Sequence, residues 1–246
     1  MKLSRTKYAL YGNLKSLKMR RRHGLFTVEG LKAVTDMSRY FSMEALIIGP
    51  GAEVPSELRV EAQTVYEASD SEMKGLSGFT TPSPFMAVFN IPDIEMPEVE
   101  ENKLFLMLDG VRDPGNLGTI IRTCHWFGIF DVFASYDTVD CYNPKVVQAT
   151  MGSLGAVRVH YCDLERVITE HKDVPVYGTF LDGDDIFTTD LQTRGFIIMG
   201  NEGTGISPSV RRLVTVGLNI PPATSNHGES LNVSVATAIV LAQFRK

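Results

Sequence analysis

Long apolar runs are missing from this chain of 246 residues. None approaches the ~18–20 residues that span a bilayer, and the longest, such as Leu104–Leu108 and Phe196–Met199, have strand length. Cysteine is scarce. Cys124, Cys141 and Cys162 are odd in number and lack Cys-x-x-Cys spacing, which argues against a disulfide framework and a thiolate zinc site. His125, His160 and His227 share no ligand spacing, so no metal is expected. The basic N-terminus runs into further charge instead of an apolar stretch, unlike a secretory signal. With 43% hydrophobic and 22% charged residues, the composition provides a packed core and excludes general disorder. The expectation is a soluble, cytoplasmic protein without a membrane or metal partner.

Acidic residues are absent from positions 1–28, which hold Lys2, Arg5, Lys7, Lys15, Lys18, Arg20, Arg21 and Arg22. The other residues are strongly acidic, and the net charge is −5. A basic segment on an acidic body suggests attraction to a polyanion, most simply nucleic acid. A solvated amphipathic helix explains the charge as well.

Residues 92–102 carry two prolines, five acids and no base, a composition that neither packs nor continues a strand and reads as a linker. Before it, Phe26–Glu29, a helical stretch after Gly30, Glu44–Ile48 and Pro84–Phe89 suggest a small α/β domain over residues 1–91. After it, residues 103–246 alternate apolar strand-length runs with helical stretches. Strands are expected at Leu104–Leu108, Asp131–Ala134, Val157–His160, Val174–Leu181, Phe196–Met199 and Leu218–Ile220. The helices between them run from Leu117 to Phe127, from Pro144 and over Asp163–Glu170, and Ser230–Phe244 closes the chain. This βαβ order predicts a mostly parallel sheet covered by helices.

Three loops follow predicted buried strands, where open parallel sheets bind ligands. The first runs from Asp109 through Gly115, Asn116 and Gly118 to Arg122. Asn116 is placed as the helix N-cap, and the planar fork of Arg122 suits phosphate. The second is Gly200-Asn-Glu-Gly-Thr-Gly-Ile. It is neither a Walker loop nor G-x-G-x-x-G, and Glu202 suits a hydrogen-bond acceptor or a cation's partner better than a phosphate contact. The third leads through Pro221–Glu229 to Ser230, read as an N-cap, and to Asn232 and Ser234. Trp126 and Phe127 are assigned to the core.

In order and spacing, these loops resemble the SpoU-type (TrmH-like) RNA ribose 2′-O-methyltransferases of the SPOUT superfamily. The resemblance rests on Asp113-Pro-Gly-Asn-Leu-Gly with Arg122, on Gly200-Asn-Glu-Gly-Thr-Gly-Ile-Ser207, and on Ile220-Pro with Ser230-Leu-Asn-Val-Ser-Val-Ala236. Asn143–Gly152 is similar to the family segment between the first two motifs, and Arg20–Gly30 looks like the small substrate-binding domain of longer members. The resemblance implies a trefoil-knotted methyltransferase domain, S-adenosylmethionine bound in the knot, and a homodimer. It also implies RNA as substrate, ribosomal RNA ahead of transfer RNA. It assigns catalysis to Asn116, Arg122, Glu202, Ser230 and Asn232, and the cofactor to Thr179, Gly200, Gly203, Ile220, Ser230 and Leu231. Arg20, Arg21 and Arg22 would contact RNA phosphates, and Glu202 would fix Arg122 or a loop N–H. A non-catalytic RNA-binding protein of the same fold is the main alternative. A nucleotide-dependent oxidoreductase is a weaker one.

Overall fold

The computed structural model describes residues 1–56, 58, 60, 62–224 and 230–245. Residues 225–229, which include most of the polar insert in the third loop and His227, lie outside the described residues. The chain forms two compact units, Met1–Asp93 with Asp140–Ala156, and Ile94–Val139 with Val157–Lys246.

The first unit contains α1 (Arg5–Asn13), α2 (Leu17–His23), β1 (Leu25–Glu29), α3 (Leu31–Met37), β2 (Met43–Ile48), β3 (Val65–Glu67), α4 (Asp70–Leu76) and β4 (Phe85–Asn90). The second opens with β5 (Leu104–Asp109), α5 (Pro114–Phe127) and β6 (Asp131–Ala134). The chain then contributes α6 (Pro144–Ala149) to the first unit. It resumes the second with β7 (Arg158–Tyr161), α7 (Leu164–Glu170), β8 (Val176–Asp185), β9 (Gly195–Gly200), α8 (Pro208–Arg211), β10 (Val216–Asn219) and α9 (Val233–Gln243). The acidic stretch after β4 forms no helix or strand, as its prolines predict.

In the first unit the strand order is β1-β4-β2-β3, antiparallel except for β2 against β3. Tyr11, Leu14, Ile47, Met73, Leu76 and Val88 build one core cluster. Segment 140–156 is held by an aromatic cluster in which Phe26 meets Phe41 at 5.0 Å and Tyr142 at 4.8 Å between ring centroids. Such pairs contribute ~0.5–1.5 kcal/mol each beyond simple burial.

The second unit is a parallel sheet of order β10-β8-β9-β5-β6-β7. β5 and β9 lie side by side in its middle, and their near-continuous burial explains their unbroken apolar sequences. From β5 the chain builds outward through β6 and β7, then crosses to β8, β9 and β10 on the other side. The order therefore reverses between β5 and β9, and the crevice beyond their carboxyl ends is the expected ligand position.

Local details differ from the sequence reading. α5 begins at Pro114 with Asp113 as its N-cap, so Asn116 is the third helical residue and not the cap. Asn232, not Ser230, caps α9. Trp126 is 85% exposed, opposite the face on which Leu117, Ile120, Ile121 and Cys124 are buried, and so is not a core residue. The register of β8 against β10 jumps from Gly178–Gly217 to Asp184–Leu218, which leaves Thr179–Gly183 as an excursion from the ladder.

Candidate active site at the carboxyl edge of the parallel sheet

The loops after β5 and β9 converge at the point where the strand order reverses. Gly200 ends β9 under the returning backbone, and a Cβ there would lie 2.4 Å from Gly205 C and Ile206 N. Only glycine fits so close an approach. Asn201 and Gly205 then exchange backbone hydrogen bonds of 3.0 and 2.9 Å. The Asn201 side chain organises the loop: its Oδ1 accepts from Gly203 N at 2.9 Å and Thr204 N at 3.0 Å, while its Nδ2 donates to Gly110 O at 2.6 Å. Buried Asp109 accepts from Ser207 N at 2.7 Å and ties the same two loops together.

On this frame three expected residues meet. Asn232 Oδ1 caps α9 by accepting from Ser234 N at 2.9 Å and Ser234 Oγ at 2.6 Å. Its oxygen is thereby committed to the helix, so its Nδ2 faces the site and donates to Asn116 Oδ1 at 2.8 Å. Asn116 then has only its own Nδ2 to offer beyond, and donates to Glu202 Oε1 at 2.8 Å. Each amide has one acceptor and one donor end, so the helix cap sets the polarity of the whole relay. Asn116 N is held by the cap carboxylate of Asp113 at 2.8 Å. Chemically this is a fixed polar edge with a carboxylate at one end, suited to orienting a hydroxyl.

The remaining expected residues are less drawn in. Six residues beyond Asn116, Arg122 is turned about 120° away at ~3.6 residues per turn. It is exposed, with no recorded partner among the described residues. Glu202 therefore fixes Asn116, with a longer 3.4 Å contact from Asn201 Nδ2, and does not fix Arg122. Ser230 is exposed and precedes the cap by two residues. Thr179 is half-buried at the start of the β8 excursion and donates to Ile198 O at 3.2 Å. Ile220 is half-buried, Gly203 is exposed, and Leu231 is 50% exposed. Asn201, Asp109 and Ser207 were missed by sequence reasoning. An Asn beside a glycine-rich turn is a signal for the loop-organising role that Asn201 plays.

In the first unit, the expected RNA contacts divide. Arg20 is 2% exposed and donates through Nε to Asp140 Oδ2 at 2.8 Å and through Nη1 to Leu14 O and Lys15 O at 2.9 Å. Its guanidinium is consumed by the fold, which removes it as a phosphate contact. Arg21 and Arg22 stand exposed on α2, with Lys18 nearby in sequence.

The parallel α/β fold around these loops is similar to that of TrmH/SpoU methyltransferases. A TrmH-family protein from Porphyromonas gingivalis superposes with a TM-score of 0.85 at 37% identity, covering 99% of this chain and 98% of that one. An AdoMet-bound rRNA methyltransferase from Sinorhizobium meliloti superposes with a TM-score of 0.85 at 29% identity, over 98% of this chain and 95% of its own. The profile of the SpoU rRNA Methylase family matches residues 103–242, and that of the MRM3-like substrate binding domain matches residues 11–87. The chain belongs to the SpoU rRNA Methylase family. Among its relatives is the 23S rRNA (guanosine(2553)-2'-O)-methyltransferase RlmP of Bacillus subtilis, 29% identical over 94% of this chain and 93% of the relative.

Proposed function

We propose that this protein transfers a methyl group from S-adenosylmethionine to a ribose 2′-hydroxyl of ribosomal RNA. The observation that carries the reading is the relay Asn232–Asn116–Glu202, two 2.8 Å contacts joining three residues from three motif loops at the switch point. The similarity to RlmP over nearly the whole of both chains supports ribosomal RNA ahead of transfer RNA. Residues 1–91 serve as the substrate-binding domain, 92–102 as linker and 103–246 as the methyltransferase domain, a division supported by the two family matches.

S-adenosylmethionine would supply the methyl group on a sulfonium, activated for in-line displacement. Thr179, Gly200, Gly203, Ile220, Ser230 and Leu231 would hold it. They fit: Ile220 and half-exposed Leu231 offer apolar surface, exposed Gly203 leaves backbone open, and Ser230 offers a hydroxyl. Asn116 and Asn232 orient the nucleotide hydroxyl, and Glu202 fixes the Asn116 amide. A guanidinium stays protonated in proteins, so Arg122 acts as a clamp on the target phosphate and stabilises charge on the 2′-oxygen. The hydroxyl proton leaves through phosphate or water.

A homodimer belongs to the same reading. Trp126 at 85% exposure and Val235 at 49%, on packed helices α5 and α9, offer apolar surface that a second copy would cover. The trefoil knot belongs to the same reading, as what membership of the SpoU family implies. A cytoplasmic setting is supported by Cys124, Cys141 and Cys162, which are all buried as thiols.

The test is incubation with tritiated-methyl S-adenosylmethionine and unmodified ribosomal and transfer RNA transcripts, followed by nuclease mapping. Label in an alkali-resistant dinucleotide of ribosomal RNA is the expected result. No cofactor binding in calorimetry would overturn the enzyme reading and promote a non-catalytic RNA-binding role.

A further inference from the structure

We infer that Arg112 is an RNA-phosphate-binding residue of this site, held in its presenting position by Asp137. The inference rests on the RNA-directed reading above and adds a residue to which no role has been given.

Arg112 lies in the loop between β5 and α5, one residue before the Asp113 cap and four before Asn116. Its Nη2 donates to Asp137 Oδ2 at 3.0 Å. The carboxylate is itself fixed, because Ser135 Oγ donates to Asp137 Oδ1 at 2.7 Å. Ser135 Oγ in turn accepts from Gly110 N at 2.8 Å, and Gly110 O accepts from Asn201 Nδ2 at 2.6 Å. One continuous chain of hydrogen bonds thus runs from the loop that carries Glu202, through the ends of β5 and β6, to the Arg112 guanidinium. Gly110 is part of the fit: its φ is +74°, and a Cβ there would lie 3.1 Å from Asp137 Oδ2. The Ser135 hydroxyl, then Arg112, hold the Asp137 carboxyl below its ordinary range, so the anchor stays charged.

Charge says what the guanidinium is for. Asp113, Asp137 and Glu202 are all exposed around these loops. A polyanion approaching such a rim meets repulsion unless a cation stands among the acids. Arg112 is that cation, 69% exposed, with a single recorded partner and most of its five N–H donors open to solvent. An exposed pair of this kind contributes only ~0–1 kcal/mol to stability, so structural need does not account for three loops being tied to it. A weakly bound, strongly oriented guanidinium is suited to accepting a phosphate bidentately while Asp137 keeps hold of Nη2.

The experiment measures filter binding of unmodified large-subunit ribosomal RNA across a salt series, with methyl-transfer kinetics and melting on the same variants. Arg112→Ala should weaken binding about five- to tenfold and reduce the salt slope by about one. KM for RNA should rise while kcat stays within about twofold, because the contact is made before and during reaction alike. Arg112→Lys should keep most of the salt slope and lose part of the affinity. An unchanged affinity and slope in Arg112→Ala, or a fall in kcat with KM unchanged, would overturn the assignment. If the natural protein binds RNA but transfers no methyl group, the functional reading fails while the Arg112 slope is still decided. Failure of the natural protein to bind RNA at all overturns both.

Discussion

Three consecutive arginines, Arg20, Arg21 and Arg22, look equivalent in sequence, and the structure predicts that they behave as two classes. Replacing Arg20 by alanine strands the Asp140 carboxylate, whose side chain is only 17% exposed. It also deprives the Leu14 and Lys15 carbonyls of their donor. Breaking a buried ion pair from one side costs ~3–5 kcal/mol. Asp140 keeps a small opening to water, which puts the expected loss near the lower end, about 3 kcal/mol. For a unit of roughly a hundred residues, each kcal/mol moves Tm by about 4–8 °C, so Arg20→Ala should lower the melting of the first unit by more than about ten degrees. Calorimetry and urea titration followed by near-ultraviolet circular dichroism would measure it. The double variant Arg20→Met with Asp140→Leu should recover most of the loss, because it removes both charges together. At temperatures where the single variant is folded, its RNA salt slope should match that of the unaltered protein. The joint change of Arg21 and Arg22 to alanine should flatten that slope by about two and leave melting within a degree or so. A variant at Arg20 that melts normally and flattens the slope would refute the division.

Asn116→Asp sets a second carboxylate 2.8 Å from where Glu202 accepts, and methyl transfer should fall by about a hundredfold or more in the tritium assay. Asn232→Asp remains a good helix cap, within ~0.5 kcal/mol in melting, yet loses the donor to Asn116. It should therefore lower kcat by about a hundredfold with little change in Tm. Arg122→Ala should abolish methyl transfer while calorimetric affinity for S-adenosylmethionine stays nearly intact; a lost affinity would overturn the clamp role. Burial pushes the Cys162 thiol up to about 11 and that of Cys124 higher still. Both should therefore resist a thiolate-selective disulfide reagent at pH 8 until denaturant is added. Rapid labelling of the native protein at these two positions would contradict the packing described for them.

How much of this was legible in advance depended on how local the cause was. β5 and β9 are buried on both faces, so their apolar runs marked them without ambiguity. The three motif loops were legible because each follows such a strand. The caps were misread although their signals were present: Pro114 at the first helical position points back to Asp113 as the cap, and this asymmetry outweighs the presence of Asn116. The residue type of Trp126 points to the core, but the helical phase set by Leu117, Ile120, Ile121 and Cys124 puts it on the outer face. The burial of Arg20 was not legible at all. Its partner Asp140 lies 120 residues away, in a segment that leaves one unit to pack in the other, and no local pattern marks such an excursion.

The residue at position 232 shows how the fold and the chemistry constrain one another. For capping alone, serine, aspartate and asparagine are nearly interchangeable at a helix N-terminus. Aspartate and serine would both satisfy Ser234 N and leave α9 in place. Neither would aim an amide N–H at Asn116 while the capping oxygen stays occupied. Of the three, asparagine alone carries the acceptor for the helix and the donor for the site on separate atoms of one planar group. Once that acceptor is committed to α9, the orientation of Asn116 follows, and with it the oxygen of Glu202 that receives a bond. Helix capping thus does more than stabilise α9, because it removes the freedom of two amides to flip and preorganises the edge where a hydroxyl must be held. A site of this kind tolerates changes that preserve both ends of the relay and fails on those that preserve only the cap, which is why melting and turnover should separate at this one position.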